Sequence, residues 1–297
     1  MKKIIAFIMF VFSSAAFADI HDIKSSNNQV GFQLNSNHVD YKESYTDGNT
    51  ADTEKGWIPG FGLSLSGMKD IFLGNDYFKA QYNHMKGDLD YLGSLNGCVG
   101  TCVVNTYEYT GAYGSYAQSN KAKISDFNFR YGKGFEINDQ FLLTPYGEVG
   151  HHKWNRDLGS NCLVAVPGSC LSSEKYTHYY YGIGALVQYS PIRKWVLTAD
   201  GFLGHTFSSE ISGTGRPLVV AGAAVFDSFS QQDLGNKSIY RIGLNADYAF
   251  TDKIHGNIGL DYIDFKYGKS DIFNTYTYEP DSKTNYTNVK VGIGYVF

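Results

Sequence analysis

The chain has 297 residues, 18% of them charged, and a formal net charge of −4, with no basic run that could neutralise a phosphate backbone; nucleic acid is excluded as a partner. Its 43% hydrophobic share is carried largely by 24 Tyr and 20 Phe beside 33 Gly, and mean hydropathy is −0.27. Past the first residues no apolar run is long enough for a membrane-spanning helix, while a wall that is apolar at every second position keeps mean hydropathy low as aromatics accumulate.

The chain opens with Lys2 and Lys3, an apolar stretch over 4–12, and Ala16-Phe17-Ala18 before Asp19. A charged start, a short apolar middle and a small-residue exit make a cleavable secretory signal. A membrane anchor needs roughly 17–25 apolar residues. The expected organisation is therefore a signal peptide over 1–18 and one barrel domain over 19–297, with the polar stretch 21–28 lying in the periplasm.

Period-two alternation then recurs along the chain. Val30, Phe32 and Leu34 oppose Gly31, Gln33 and Asn35; Phe61, Leu63 and Leu65 oppose Gly60, Gly62 and Ser64. A weaker strand fits 77–91. Phe127, Phe129 and Tyr131 oppose Asp126, Asn128 and Arg130, and a second weak strand fits 142–154, with Pro145 near its start. Ile183, Ala185 and Val187 oppose Gly182, Gly184 and Gln188, while Leu197 and Ala199 oppose Thr198 and Asp200. Ile242, Leu244 and Ala246 oppose Arg241, Gly243 and Asn245, and Ile258 and Leu260 oppose Asn257 and Gly259. Val289, Val291, Ile293, Tyr295 and Phe297 close the series against Asn288, Lys290, Gly292 and Gly294.

The fold class that follows is all-β: a closed antiparallel transmembrane β-barrel of about ten strands, since an open edge would leave backbone groups unpaired in hydrocarbon. Connections alternate, with short periplasmic turns near 67–70, 136–140, 191–194 and 251–253. Long extracellular loops lie near 46–56, 92–120, 156–175, 208–236 and 269–284. Stretches 92–120 and 208–236 are each long enough for a hidden hairpin, which makes twelve strands the alternative. Trp57 and Trp195 fall where an interfacial aromatic girdle belongs, and Trp154 does not keep that parity. Tyr176, Tyr179, Tyr180 and Tyr181 read as further girdle residues.

The lumen-facing parity carries Lys79, Asp126, Arg130, Glu148, Asp200, Arg241, Asp247, Asp261 and Lys290. Four cations against five anions suit either a selectivity-lining pore or a salt-bridged packed interior. A barrel of this size, little wider than one that side chains fill, favours the second. Cys98, Cys102, Cys162 and Cys170 all lie in loops, and an oxidising compartment makes disulfides the default, with the local pairs 98–102 and 162–170 preferred. No paired Cys-x-x-Cys or histidine cluster suggests a metal, and no cofactor is expected. The loop over 217–226 is apolar (Leu218, Val219, Val220, Val225, Phe226), which offers a contact for a host surface or envelope component.

A signal peptide, about ten alternating strands and the ending Val291-Gly292-Ile293-Gly294-Tyr295-Val296-Phe297 resemble the small outer-membrane β-barrel superfamily, in strand number its omptin- and OpcA-like barrels. The resemblance implies residence in the cell outer membrane among lipid and lipopolysaccharide. It also implies recognition of Phe297, Tyr295 and Ile293 by the barrel assembly machinery. The superfamily holds adhesins, structural barrels, narrow pores and enzymes. A rim Asp88-Leu89-Asp90 is similar to the aspartate pair of omptin proteases, but the matching Asp-x-His at a facing strand end is missing. The expectation is a surface, interaction or envelope-structural protein without catalytic residues; the alternatives are a narrow pore for small solutes and, behind it, a rim protease.

Overall fold

The computed structural model describes residues 20–93, 113–114, 116–158, 171–215, 219–220, 223–224, 229–272 and 278–297. A short helix, α1 (Ile20–Ser26), leads into β1 (Gln29–Ser44), β2 (Thr50–Lys69), β3 (Asp76–Gly93) and β4 (Tyr116–Lys133). The small β5 (Phe135–Asn138) precedes β6 (Phe141–Asp157), β7 (Leu171–Tyr189) and β8 (Trp195–Gly215). Two-residue strands β9 (Val219–Val220) and β10 (Ala223–Ala224) pair with each other, and β11 (Phe229–Asp233) follows. The chain continues through β12 (Ser238–Ala249), β13 (Ile254–Tyr267) and β14 (Asp281–Val296).

Ten of these close a wall in the order β1, β2, β3, β4, β6, β7, β8, β12, β13, β14, every pair antiparallel, with β14 back on β1. That seam is in register over the whole of β1, from Gln29 opposite Val296 to Ser44 opposite Asp281. β5 and β11 lengthen the sheet at its two ends without adding to the circumference: β5 pairs only the start of β6, and β11 only the far end of β8. The barrel therefore has ten staves and not twelve.

Side chains sort as the alternation requires. Val30, Phe32 and Leu34 face outward beside Tyr295, Ile293 and Val291, and Trp57 and Trp195 mark opposite borders of the apolar band. Trp154 is fully buried in the lumen, which accounts for its odd parity. The tyrosines of β7 divide, because successive residues of a strand face opposite ways: Tyr179 and Tyr181 are outside, while Tyr176 and Tyr180 are buried within. Only the first two are girdle residues.

The strands outrun the membrane. A span needs about 9–11 residues, whereas β2 has 20 and β8 has 21. Past Leu34 on β1, Trp57 on β2 and Val289 on β14, the outward positions become Asp40, Lys42, Lys55, Asn285 and Lys283. The wall thus continues outward as an extracellular collar. Within the stretches that read as loop over 46–56, 156–175 and 208–236, residues 50–56, 156–157, 171–175, 208–215 and 229–233 are strand, since ladder hydrogen bonds continue after the hydropathy contrast ends. The β1–β2 connection shrinks to a tight turn in which Tyr45 N donates to Asn49 O at 2.9 Å.

At the periplasmic end the polar stretch 21–28 folds into the barrel instead of hanging free. Ile23 is fully buried, and α1 packs on β6 and β8. Asn27 and the lumen residue Gln188 exchange amide hydrogen bonds of 2.8 and 3.1 Å. Asp22 accepts from Lys194 N at 3.0 Å, and Lys24 pairs with Glu136 at 2.7 Å. A polar lumen offers the partners that make burying a polar segment affordable.

Candidate functional site

The lumen is organised in levels. Lowest above α1, His255 Nδ1 donates to Asp247 Oδ1 at 2.6 Å, and on the same wall Lys290 reaches Asp261 at 2.5 Å. Next comes a four-residue ion cluster drawn from β4, β6, β8 and β12. Arg130 contacts Glu148 at 2.7 Å and Asp200 at 2.9 Å, while Arg241 contacts the same two at 2.7 and 3.5 Å. Tyr146 donates its hydroxyl to Asp200 at 2.5 Å and Tyr180 donates to Glu148 at 3.0 Å, so each carboxylate is held from several sides. Glycines make room for these rings: a Cβ on Gly184 would lie 2.4 Å from the Tyr146 hydroxyl, and one on Gly150 would lie 2.3 Å from the Tyr180 ring. Two opposite-sign pairs cancel in charge, which is how such groups tolerate removal from water. Lys79 lines the cavity beside this cluster.

That cavity, about 180 Å³, runs beside the ion cluster from Ser26, Asn27 and Gln29 at its foot, past Arg130, Asp200 and Arg241, to a roof of rings. Amide atoms of Asn37, Asn128 and Asn288 face it without a protein partner among the described residues. The roof holds His152, His178, Phe265 and Tyr286, with the imidazoles of His152 and His178 stacked at 4.9 Å. His152 Nδ1 donates to Asp126 at 2.5 Å; its neighbour His151 points outward against Tyr179.

Above the roof, within the collar, lies a cluster that alternation had hidden in a presumed loop. Arg156 is buried, with Glu54 at 3.0 Å, Glu174 at 2.7 Å, Glu43 at 3.3 Å and Asp52 at 3.9 Å. Its guanidinium lies over the rings of Tyr41, Trp154 and Tyr176, 4.8 to 5.7 Å from their centroids. Tyr41 donates to Glu43, Asn120 to Glu54, and Tyr176 to Glu279. With Glu279, five carboxyls share one cation, and burial away from water raises the pKa of Asp52, Glu279 and Glu174, the last to about 7. Continuing the even-numbered parity of β6 from Glu148 through His152 and Trp154 reaches Arg156, a signal present in the sequence.

Other sequence-derived sites fall elsewhere. Asp88 and Asp90 are exposed on the outer face of β3, while Leu89 between them fills the lumen; the two aspartates do not meet across the mouth. The chain does hold one Asp-x-His, Asp19-Ile20-His21; its Ile20 and His21 open α1 at the opposite end of the barrel, and Asp19 lies outside the described residues. Phe297, Tyr295 and Ile293 project outward, about half exposed, at the β14–β1 seam. Cys98, Cys102, Cys162 and Cys170 lie outside the described residues, as do the signal segment 1–18 and Leu218, Val225 and Phe226. Val219 and Val220 form β9, the first arm of the small hairpin carried between β8 and β11. Among the described residues no group of His, Cys, Asp and Glu has the arrangement of a metal site.

No protein-family model and no curated protein matches the chain. Among solved structures, the outer membrane protease OmpT from Escherichia coli superposes with a TM-score of 0.50 at 8% identity, covering 92% of this chain and 98% of its own. The transport unit of the autotransporter AIDA-I, also from Escherichia coli, gives 0.44 at 9% identity over 91% and 90%. Ail, the attachment invasion locus protein of Yersinia pestis, gives 0.32 at 10% over 91% and 99%. At these identities the likeness is one of fold, and it rests on OmpT.

Proposed function

We propose that this outer-membrane β-barrel of ten strands works at the cell surface as an interaction or envelope-structural protein, presenting its collar and loops, and does not conduct solutes. The observation behind the reading is that side chains from β4, β6, β8 and β12 meet across the lumen in the Arg130–Glu148–Arg241–Asp200 cluster. The rings around His152 and His178 and the residues around Arg156 then fill two further levels. The purified protein in a planar bilayer should give no steady unitary currents; reproducible steady channels would sink the proposal. Removing 217–226 should weaken attachment to a host or envelope partner while the barrel still folds, and unchanged attachment rejects that loop as the contact. Surrounding lipid and lipopolysaccharide are its expected neighbours, and the outward Phe297, Tyr295 and Ile293 are its proposed handle for the assembly machinery.

The second reading, a narrow pore for small solutes, is favoured by one feature, the polar cavity of about 180 Å³ that runs from α1 past the ion cluster to the ring layer. The same current measurement decides between the two. We propose no proteolytic role, since Asp88 and Asp90 turn away from the mouth. Peptide cleavage that disappears in Asp88→Ala and Asp90→Ala variants would overturn that.

A further inference from the structure

On the outer wall of β3, β4, β6 and β7, the register lines up horizontal rungs of outward side chains. The highest rung of the apolar band is Tyr82, Phe127, His151 and Tyr179. Directly above it stand His84, Ser125, Lys153 and Thr177, and above those Lys86, Lys123, Asn155 and Lys175. These two rungs contain no carboxylate. Lys86 and Lys123 are direct cross-strand partners, an arrangement that like charges destabilise unless something of opposite sign sits between them. Among the described residues, Lys86, Lys123 and Lys153 form no ion pair, and the positive field of Lys123 and Lys86 also bears on His84.

The opposite wall shows that the barrel can neutralise such a rung. There Lys42, Lys283 and Lys266 are also cross-strand neighbours, but the rung below supplies Asp40 and Asp264. Lys283 takes Asp264 at 2.9 Å, and Asp40 takes Lys55 at 3.2 Å. On the lysine wall the outward carboxylates, Asp88 and Asp157, stand one rung above Lys86 and Lys123, on the side away from the apolar band; Lys153 is one rung and Lys86 and Lys123 are two rungs above its aromatic border, with no carboxylate between.

We propose that Lys86, Lys123 and Lys153 form a seat for the phosphate of an outer-leaflet lipid whose acyl chains run down past Phe127, Phe129 and Tyr82. Charge-assisted hydrogen bonds from several ammonium groups suit one phosphate, and the aromatic rung beneath suits its chains. The inference rests on the membrane placement of the barrel and is independent of whether the lumen conducts.

The test compares full-length protein in detergent with the variant Lys86→Gln/Lys123→Gln/Lys153→Gln and the control Lys42→Gln/Lys266→Gln. Native mass spectrometry counts bound lipid A, its dephosphorylated form and inorganic phosphate. Wild type and control should retain phosphorylated lipid A, and the triple variant should hold it at least about tenfold less tightly. Dephosphorylated lipid A should bind the wild type no better than the triple variant does, and inorganic phosphate should not displace the lipid. Equal loss in the control, retention in the triple variant, or displacement by free phosphate would each overturn the seat. Melting temperature gives a second readout with opposite signs: without lipid the triple variant should be at least as stable as wild type, because repulsion is relieved, and with lipid A it should gain less. A triple variant already destabilised without lipid would assign the lysines a structural role and overturn the seat.

Discussion

Arg241 sets both terminal nitrogens on one carboxylate, Nη1 on Oε1 of Glu148 at 2.9 Å and Nη2 on Oε2 at 2.7 Å, across the lumen from β12 to β6. The two residues are 93 positions apart, and Arg130 and Asp200 complete the cluster. A buried pair of this kind is costly to break and cheap to replace whole. Arg241→Leu should therefore destabilise the barrel by about 3–5 kcal/mol, while Arg241→Leu with Glu148→Leu should recover most of the loss, since Arg130 and Asp200 remain paired. The heat-induced mobility shift of detergent-solubilised protein measures both; a double variant no better than the single would refute the pairing.

Gly184 lies against both the Tyr146 ring and the Gly201 carbonyl, each within 2.5 Å of where a Cβ would sit, so Gly184→Ala should cost about 1–3 kcal/mol. Gly147, on the outward face next to Tyr146, has open space around its Cβ position, and Gly147→Ala should be tolerated. Equal melting losses in the two variants would contradict the inward packing of Tyr146.

The collar should loosen as pH rises. Glu174 has its pKa raised to about 7 by burial, above the 4.5 it has when solvated, so the folded collar holds a proton the unfolded chain releases. Its stabilisation is complete below about 4.5 and is lost as pH rises through about 7. Burial shifts Asp52 and Glu279 in the same direction. Protease cleavage of the collar should accelerate between pH 5 and pH 8, roughly the window that shift sets, and Glu174→Gln should blunt the change. A collar equally resistant at both pH values would rule this out.

Docking of α1 can be read by thiol labelling in a background without the four native cysteines. Ile23 is fully buried and His21 is exposed, so Ile23→Cys should resist a maleimide that modifies His21→Cys readily. Equal rates would mean that the helix hangs free in the periplasm.

The sequence by itself determined the outward face, because a strand alternates its side chains locally and hydrocarbon selects apolar groups at every second position. Val30, Leu65, Phe129, Ile183 and Ile293 were legible on that ground, and so was the inward parity of Arg130, Glu148, Asp200 and Arg241. Alternation stopped being visible where lipid stops, so Arg156 and its carboxylates were lost in an apparent loop although the ladder runs on to Asp157. The tertiary structure alone decided which inward groups meet. Those meetings depend on the register between strands distant in the chain and on closure of β14 onto β1, neither of which a period of two encodes. The same holds for the lysine rungs: Lys86, Lys123 and Lys153 are scattered in sequence, and only the pairing of β3, β4 and β6 brings them to adjacent rungs of the wall.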